Sequence, residues 1–209
     1  MRQWTIAVSP VAVIALCNAS QHIAGRWLGV WAWAPTMLLF WGAIAALVAW
    51  SGTPPRQWLG RPRGSWFWSV LAVAFGLLSA DVLIDGWHTL GSPAVLVLWL
   101  LFGLLNPWFE EMYWRGLLID ATRSWPIGLG VVYSAAAFAL SHPYIWGVHT
   151  LALRSPRALV GLGVAGLVWG LVYRRTGSLR FTILGHACSN LLGLSVPVLL
   201  NLYTPAALR

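Results

Sequence analysis

A chain of 209 residues with 59% hydrophobic side chains and only 9% charged ones has the composition of a membrane protein, because soluble domains carry about 25% charged residues. That composition excludes a soluble enzyme, a disordered tail and a collagen-like rod. The net charge of +8 comes from thirteen arginines and no lysine, placed singly or in twos and threes between apolar runs, which is the pattern of cytoplasmic loops rather than of nucleic-acid binding.

A hydrocarbon core about 30 Å thick takes about 20 apolar helical residues. Proline, glycine and arginine clusters cut the chain into seven such segments: 4–24, 27–50, 66–86, 93–119, 128–150, 158–174 and 179–203. The expected fold is therefore all-α, a polytopic transmembrane helix bundle of about seven spans, forming one integral membrane domain over 1–209 with the N-terminus cytoplasmic. The run from Met1 to Cys17 has the charge and apolar pattern of a signal peptide as well, but Leu16 is bulky where a lipoprotein cleavage site needs a small residue, so it reads as a first span. The clearest connector runs from Thr53-Pro54-Pro55-Arg56 to Gly64; Gly91-Ser92-Pro93 and Thr176-Gly177-Ser178 are the next clearest.

Arginine placement gives the orientation. With the N-terminus inside, Arg2, Arg56, Arg61, Arg63, Arg115, Arg123, Arg174, Arg175 and Arg180 fall in or beside inside loops, against Arg26, Arg154, Arg157 and Arg209 outside. Asp81 and Asp85 then mark an outside end and Asp120 a loop. Trp27, Trp50, Trp58, Trp66, Trp68, Trp87, Trp108 and Trp125 fall near span ends, as interfacial belts require, while Trp41, Trp99 and Trp169 lie mid-span and read as packing residues. Cys17 and Cys188 sit in apolar stretches and read as buried free thiols.

Few ionisable groups interrupt the spans, and each costs at least about 2.5–3.5 kcal/mol there unless it has a partner or a purpose. In the fourth segment Glu111 and Arg115 are an i,i+4 pair on one face, and Glu110 points about 100° away from Glu111. One glutamate is expected to be neutralised and the other free to act as a base. In the fifth, Phe138 and His142 share a face, and Pro143 should kink the helix beside the histidine. In the seventh, His186 and Asn190 share a face, with Cys188 turned elsewhere. His22, His88 and His149 lie at predicted ends. Gly161-x-Gly163-x-x-Gly166 spells a dinucleotide fingerprint, but it has no strand before it and reads as close helix packing. At 1.5 Å per residue, Glu110 lies about 14 Å and His186 about 12 Å from the inside end, so they can meet. His142 lies about 21 Å deep from Gly128, and meets them only if its helix starts late or tilts.

Glu110-Glu111-x-x-x-Arg115, Phe138-x-x-x-His142 and His186-x-x-x-Asn190, in this order on three spans, resemble the CPBP intramembrane protease family, which includes the CAAX prenyl endopeptidases and bacterial immunity-type proteins. The resemblance covers residues 93–203; the N-terminal spans in 1–90 carry no family motif. It implies an intramembrane endopeptidase acting on a membrane-anchored protein or peptide. Glu110 and His142 would activate water, His186 and Asn190 would bind the oxyanion, and Glu111, Arg115 and Phe138 would support them. No cofactor is favoured, because a histidine with an amide at i+4 reads as a donor pair; a zinc ion would have to draw on His142, His186 and Glu110. The alternatives are a non-catalytic immunity or partner-binding protein on the same scaffold and a proton-coupled transporter. Arginine-only basicity points to a prokaryotic inner membrane.

Overall fold

The computed structural model describes residues 2–126 and 128–206, so Arg209 lies outside the described residues. Within them the chain is helical and contains no strand. In chain order it forms α1 (Arg2–Leu28), α2 (Trp33–Ser51), α3 (Trp66–Leu77), α4 (Ala80–Gly86), α5 (Pro93–Glu110), α6 (Ile119–Ala121), α7 (Leu129–Tyr144), α8 (Pro156–Thr176), α9 (Arg180–Leu192) and α10 (Ser195–Leu199). A π-helical stretch, Glu111–Leu118, joins α5 to α6 without a break. All seven expected segments are thus largely helical, but the third divides into α3 and α4, the fifth stops at Tyr144 and the seventh divides into α9 and α10. Four helical runs are long and apolar enough to cross a membrane: Arg2–Ser51, Trp66–Gly91, Pro93–Ala121 and Pro156–Thr176. The first contains both α1 and α2, which a 3-10 turn at Gly29–Ala32 separates and which a Ser20–Thr36 hydroxyl contact of 2.9 Å links. At 16 and 13 residues, α7 and α9 are shorter than a full span.

The fifth segment departs most from expectation. Pro143 does not kink a long span; it sits in the last turn of α7, which ends at Tyr144 and is followed by a 3-10 turn at Trp146–Val148. A proline close to a C-terminus costs little, because most of the interior hydrogen bonds lie behind it. The glycine triplet is also sparser in function than its letters suggest. A Cβ on Gly166 would press on Ala135, whereas Gly161 and Gly163 have open space. Only Gly166, and Gly170 one turn on against Val131, lets α8 approach α7 closely.

Glycine does more between α3 and α9. A Cβ on Gly76 would run into the backbone of Gly185, and one on Gly185 into the carbonyl of Ala72. These contacts are with backbone, which cannot rotate aside, so α9 lies against α3 at a distance only glycine permits. Trp169 on α8 completes the junction by donating its Nε1–H to the same Ala72 carbonyl at 3.1 Å.

Aromatic rings fasten the N-terminal helices to the rest. Trp33 and Phe102 meet edge to face at 5.8 Å, Phe40 and Trp146 at 5.7 Å, and Trp41 stacks on Phe109 at 4.9 Å. The Tyr133 hydroxyl donates to the Ala7 carbonyl at 2.5 Å, and the Ser134 hydroxyl to the Trp114 carbonyl at 2.5 Å. The second bond satisfies a carbonyl inside the π-helical stretch, which matters where no water is available.

The arginine-bearing loops gather at one end. Trp58 and Tyr173 both donate to Asp120 Oδ2, at 3.0 and 2.9 Å. Arg63 N–H donates to Thr176 O at 2.9 Å, Leu179 N–H to Trp58 O at 2.8 Å, and Ser178 Oγ to Gly60 O at 2.7 Å. Trp58 is consequently 1% exposed, a loop anchor rather than the interfacial ring expected of it. Trp27, Trp66 and Trp87 are exposed, as a belt requires. At the opposite end, Asn18 donates to Tyr144 O, His149 Nε2 to Gln21 O, Thr150 to Leu199 O and Asn201 to His149 O.

Candidate active site

The sequence places an unusual backbone where its unusual residues lie. Pro107 lacks the N–H that would continue the α-helical ladder, and within one turn the helix widens to π geometry at Glu111. Such wide turns concentrate at functional sites. Here it carries Glu111 and Arg115, both fully buried, with Arg115 Nη1 2.9 Å from Glu111 Oε1. The guanidinium lies 4.2 Å from the centre of the Phe138 ring and 5.4 Å from that of Trp169. Charge and aromatic faces therefore hold it in place of the usual forked hydrogen bonds.

His186 on α9 reaches both glutamates. Its Nδ1 is 2.9 Å from Glu111 Oε1, and its Nε2 is 3.5 Å from Glu110 Oε2. Glu110 was expected to point away from Glu111 and to be free. The two carboxylates do diverge round the helix, but an imidazole has nitrogens on opposite edges and sits between them. Since a paired carboxylate can only accept, His186 Nδ1 carries the proton in that bond. The contact to Glu110 is longer than an ordinary hydrogen bond, and Glu110 Oε2 is buried with no hydrogen-bond partner among the described residues.

His142 donates Nδ1–H to the Phe138 carbonyl at 2.8 Å, which leaves Nε2 as its acceptor. Phe138 contacts His142 at 4.7 Å and His186 at 5.9 Å, both edge to face, so it is the packing centre of the cluster. α7 begins at Leu129 rather than late, yet His142 lines the same cavity as Glu110 and His186. Leu179, which precedes α9, is fully buried and bonded to Trp58 at the arginine-rich end.

Glu110, His142, His186 and Asn190 line one cavity of about 400 Å³. Its walls include Phe75, Phe102, Trp146 and Leu162, and its rim reaches Asp81 and Arg157. Asn190 Nδ2 is buried without a hydrogen-bond partner among the described residues. An orphan amide donor beside an open space is what a ligand oxygen would satisfy. Cys188 does not line this cavity, as its angular offset from His186 predicts.

Two residues of the site were not singled out beforehand. Trp169, read as packing, stacks on His186 at 4.7 Å with the planes 18° apart. Asn106, one turn before Glu110, lines the cavity and accepts a hydrogen bond from Trp41 at 3.0 Å. An amide inside an apolar span was the available signal for Asn106. For Trp169 there was none, because its role depends on a helix distant in sequence.

The donor set for zinc does not assemble. His186 faces a carboxylate on each nitrogen, and among the described residues no group of three His, Cys, Asp or Glu is spaced to hold a metal ion. The groups available are a carboxylate, an acceptor imidazole, a second imidazole and an amide donor around a cavity of about 400 Å³.

Residues 92–192, from the start of α5 to the end of α9, match the family model described as type II CAAX prenyl endopeptidase Rce1-like. This agrees with the resemblance carried by the three motifs, all of which lie within the match. No curated protein and no solved structure matches the chain.

Proposed function

We propose, taking residues 92–192 as an Rce1-like protease segment of an integral membrane protein, that this protein hydrolyses a peptide bond in a membrane-associated protein or peptide with Glu110 as general base. The observation that carries the reading is the common cavity of Glu110, His142, His186 and Asn190, built from three helices inside an apolar bundle. A water held by Glu110 and by His142 Nε2 gives its proton to the Glu110 carboxylate as its oxygen attacks the carbonyl carbon. The carbonyl oxygen becomes an oxyanion and accepts hydrogen bonds from Asn190 Nδ2 and His186 Nε2. Glu110 then passes the proton to the departing amine as the C–N bond breaks.

The charges support this division of roles. With Nδ1 donating to Glu111, His186 offers an Nε2–H only as the imidazolium. Glu110, Glu111, Arg115 and that imidazolium then sum to zero, the arrangement a low-dielectric interior tolerates best. Glu111 and Arg115 orient His186 without touching substrate, and no step requires a metal.

The test is cleavage in membranes with the Glu110→Gln protein, which keeps the shape and loses the base. Processing should stop while the protein still accumulates and folds; a wild-type rate would remove Glu110 from the mechanism. The bilayer concerned is read as a prokaryotic inner membrane from the arginine-only basicity.

A further inference from the structure

We propose that the catalytic cavity opens on the extracytoplasmic face of the membrane. Its substrates would then be proteins held by a membrane anchor whose extracytoplasmic flank enters the site. This rests on the protease reading above for its chemistry, but its direction comes from two independent features of the bundle.

The first is a charge difference between the two ends. The end tied together through Asp120, Thr176, Trp58 and Gly60 carries Arg56, Arg61, Arg63, Arg123, Arg174, Arg175 and Arg180, and α1 starts there with Arg2. The end joined through Gln21, His149, Leu199 and Asn201 carries Arg26, Arg154 and Arg157, together with the acids Asp81 and Asp85. Arg115 is buried between the two ends and belongs to neither. Eight arginines against three, all in loops or helix ends short enough for the rule to hold, make the tied end cytoplasmic.

The second feature is where the cavity goes. Away from the glutamates it is bordered by Asp81, Arg157, Ser195 and Pro205, all from the arginine-poor end. Asp81 and Arg157 are exposed, so the cavity reaches the surface there. No residue of the loops 52–65, 120–126 or 174–180 lines it. On the cytoplasmic side those loops, bonded to one another, cover the bundle. A chain arriving from the cytoplasm meets that cover; one arriving from the other face meets the opening, with Glu110 at its floor.

The occupant follows from the walls. Phe75, Leu78, Phe102 and Val198 suit apolar residues on the anchor side of the bond, and the Asp81 and Arg157 rim suits a polar segment leaving the membrane. That describes the junction between an anchor and the soluble part of an exported protein.

Two measurements on the full-length chain test this. Asp85→Cys lies on the exposed face of α4, and Gln57→Cys lies on the exposed arginine-rich loop. A membrane-impermeant maleimide should label Asp85→Cys in intact cells and Gln57→Cys only in everted vesicles, with the unsubstituted protein as the control for Cys188. The reverse pattern overturns the proposal and leaves the protease reading standing. Membrane proteins from cells carrying the wild type or Glu110→Gln are then compared for new chain ends. Glu110-dependent ends on the extracytoplasmic flank of an anchor support the proposal, and ends confined to cytoplasmic flanks refute it. If no end depends on Glu110, the protease reading fails and the substrate claim falls with it, while the labelling still decides the orientation.

Discussion

Replacing Arg115 with methionine removes a fully buried cation and leaves Glu111 as a carboxylate with 0% exposure. Because neither partner touches solvent, the loss is not reduced by screening, and breaking such a pair costs about 3–5 kcal/mol. The cation–π contacts with Phe138 and Trp169 contribute up to about 2 kcal/mol when desolvated, but they overlap with the pair and do not simply add. For a chain of this size the loss corresponds to a drop of about 6–20 °C in Tm. The assay is thermal unfolding in mild detergent, followed by tryptophan fluorescence, for Arg115→Met, Glu111→Gln and the double variant. Glu111→Gln keeps an acceptor for His186 Nδ1 while removing the charge, so the double variant should be more stable than Arg115→Met by about 1–3 kcal/mol. A double variant no more stable than Arg115→Met, or an Arg115→Met protein within about 0.5 kcal/mol of wild type, would refute the account of the site as a charge-balanced buried cluster.

Three further outcomes are expected. Gly185→Ala should destabilise by about 1–3 kcal/mol, because its new methyl meets the Ala72 carbonyl rather than a movable side chain; an unchanged melting curve would contradict the close α3 to α9 contact. Asp120→Ala should cost about 1–3 kcal/mol by leaving the Trp58 and Tyr173 donors without their acceptor, and limited proteolysis should then nick the loop 52–65 first. Asn190→Ala should lower kcat by about 10²- to 10³-fold with little change in KM, since an oxyanion donor acts in the transition state; a pure KM effect would make Asn190 a binding residue instead.

How much was legible in advance varies with the physics of each feature. The membrane setting and all seven helical segments follow from composition and from proline and glycine punctuation, which act locally. The pairing of Glu111 with Arg115 and of Phe138 with His142 was readable because both pairs lie within single helices. The insertion of His186 between two glutamates was not, because sequence spacing fixes the angle of a side chain about its own axis and not what the neighbouring helix offers it. Trp58 misled for the same reason: its place near a span end matched an interfacial ring, but a single acid, Asp120, drew it inward. The glycine triplet failed differently. Small residues permit close approach without requiring it, and only Gly166 of the three has a neighbour to approach.

The π-helical stretch Glu111–Leu118 means that this part of the chain holds more residues than an α-helix of equal rise would. The bundle therefore contains a built-in insertion, seated next to its only adjacent pair of acids. A wide turn absorbs surplus residues locally, so removal of one residue there would let α-helical bonding resume with the flanking helices still in phase, and the change would fall on the residues inside the stretch. Glu111 and Arg115 both lie inside it, and a deletion between them would replace the i,i+4 spacing of their ion pair with i,i+3. The spacing in this region is thus a constraint on counting as well as on chemistry: a chain that kept both glutamates and the arginine but lost a residue between Glu111 and Arg115 would present the guanidinium to neighbours other than Phe138 and Trp169.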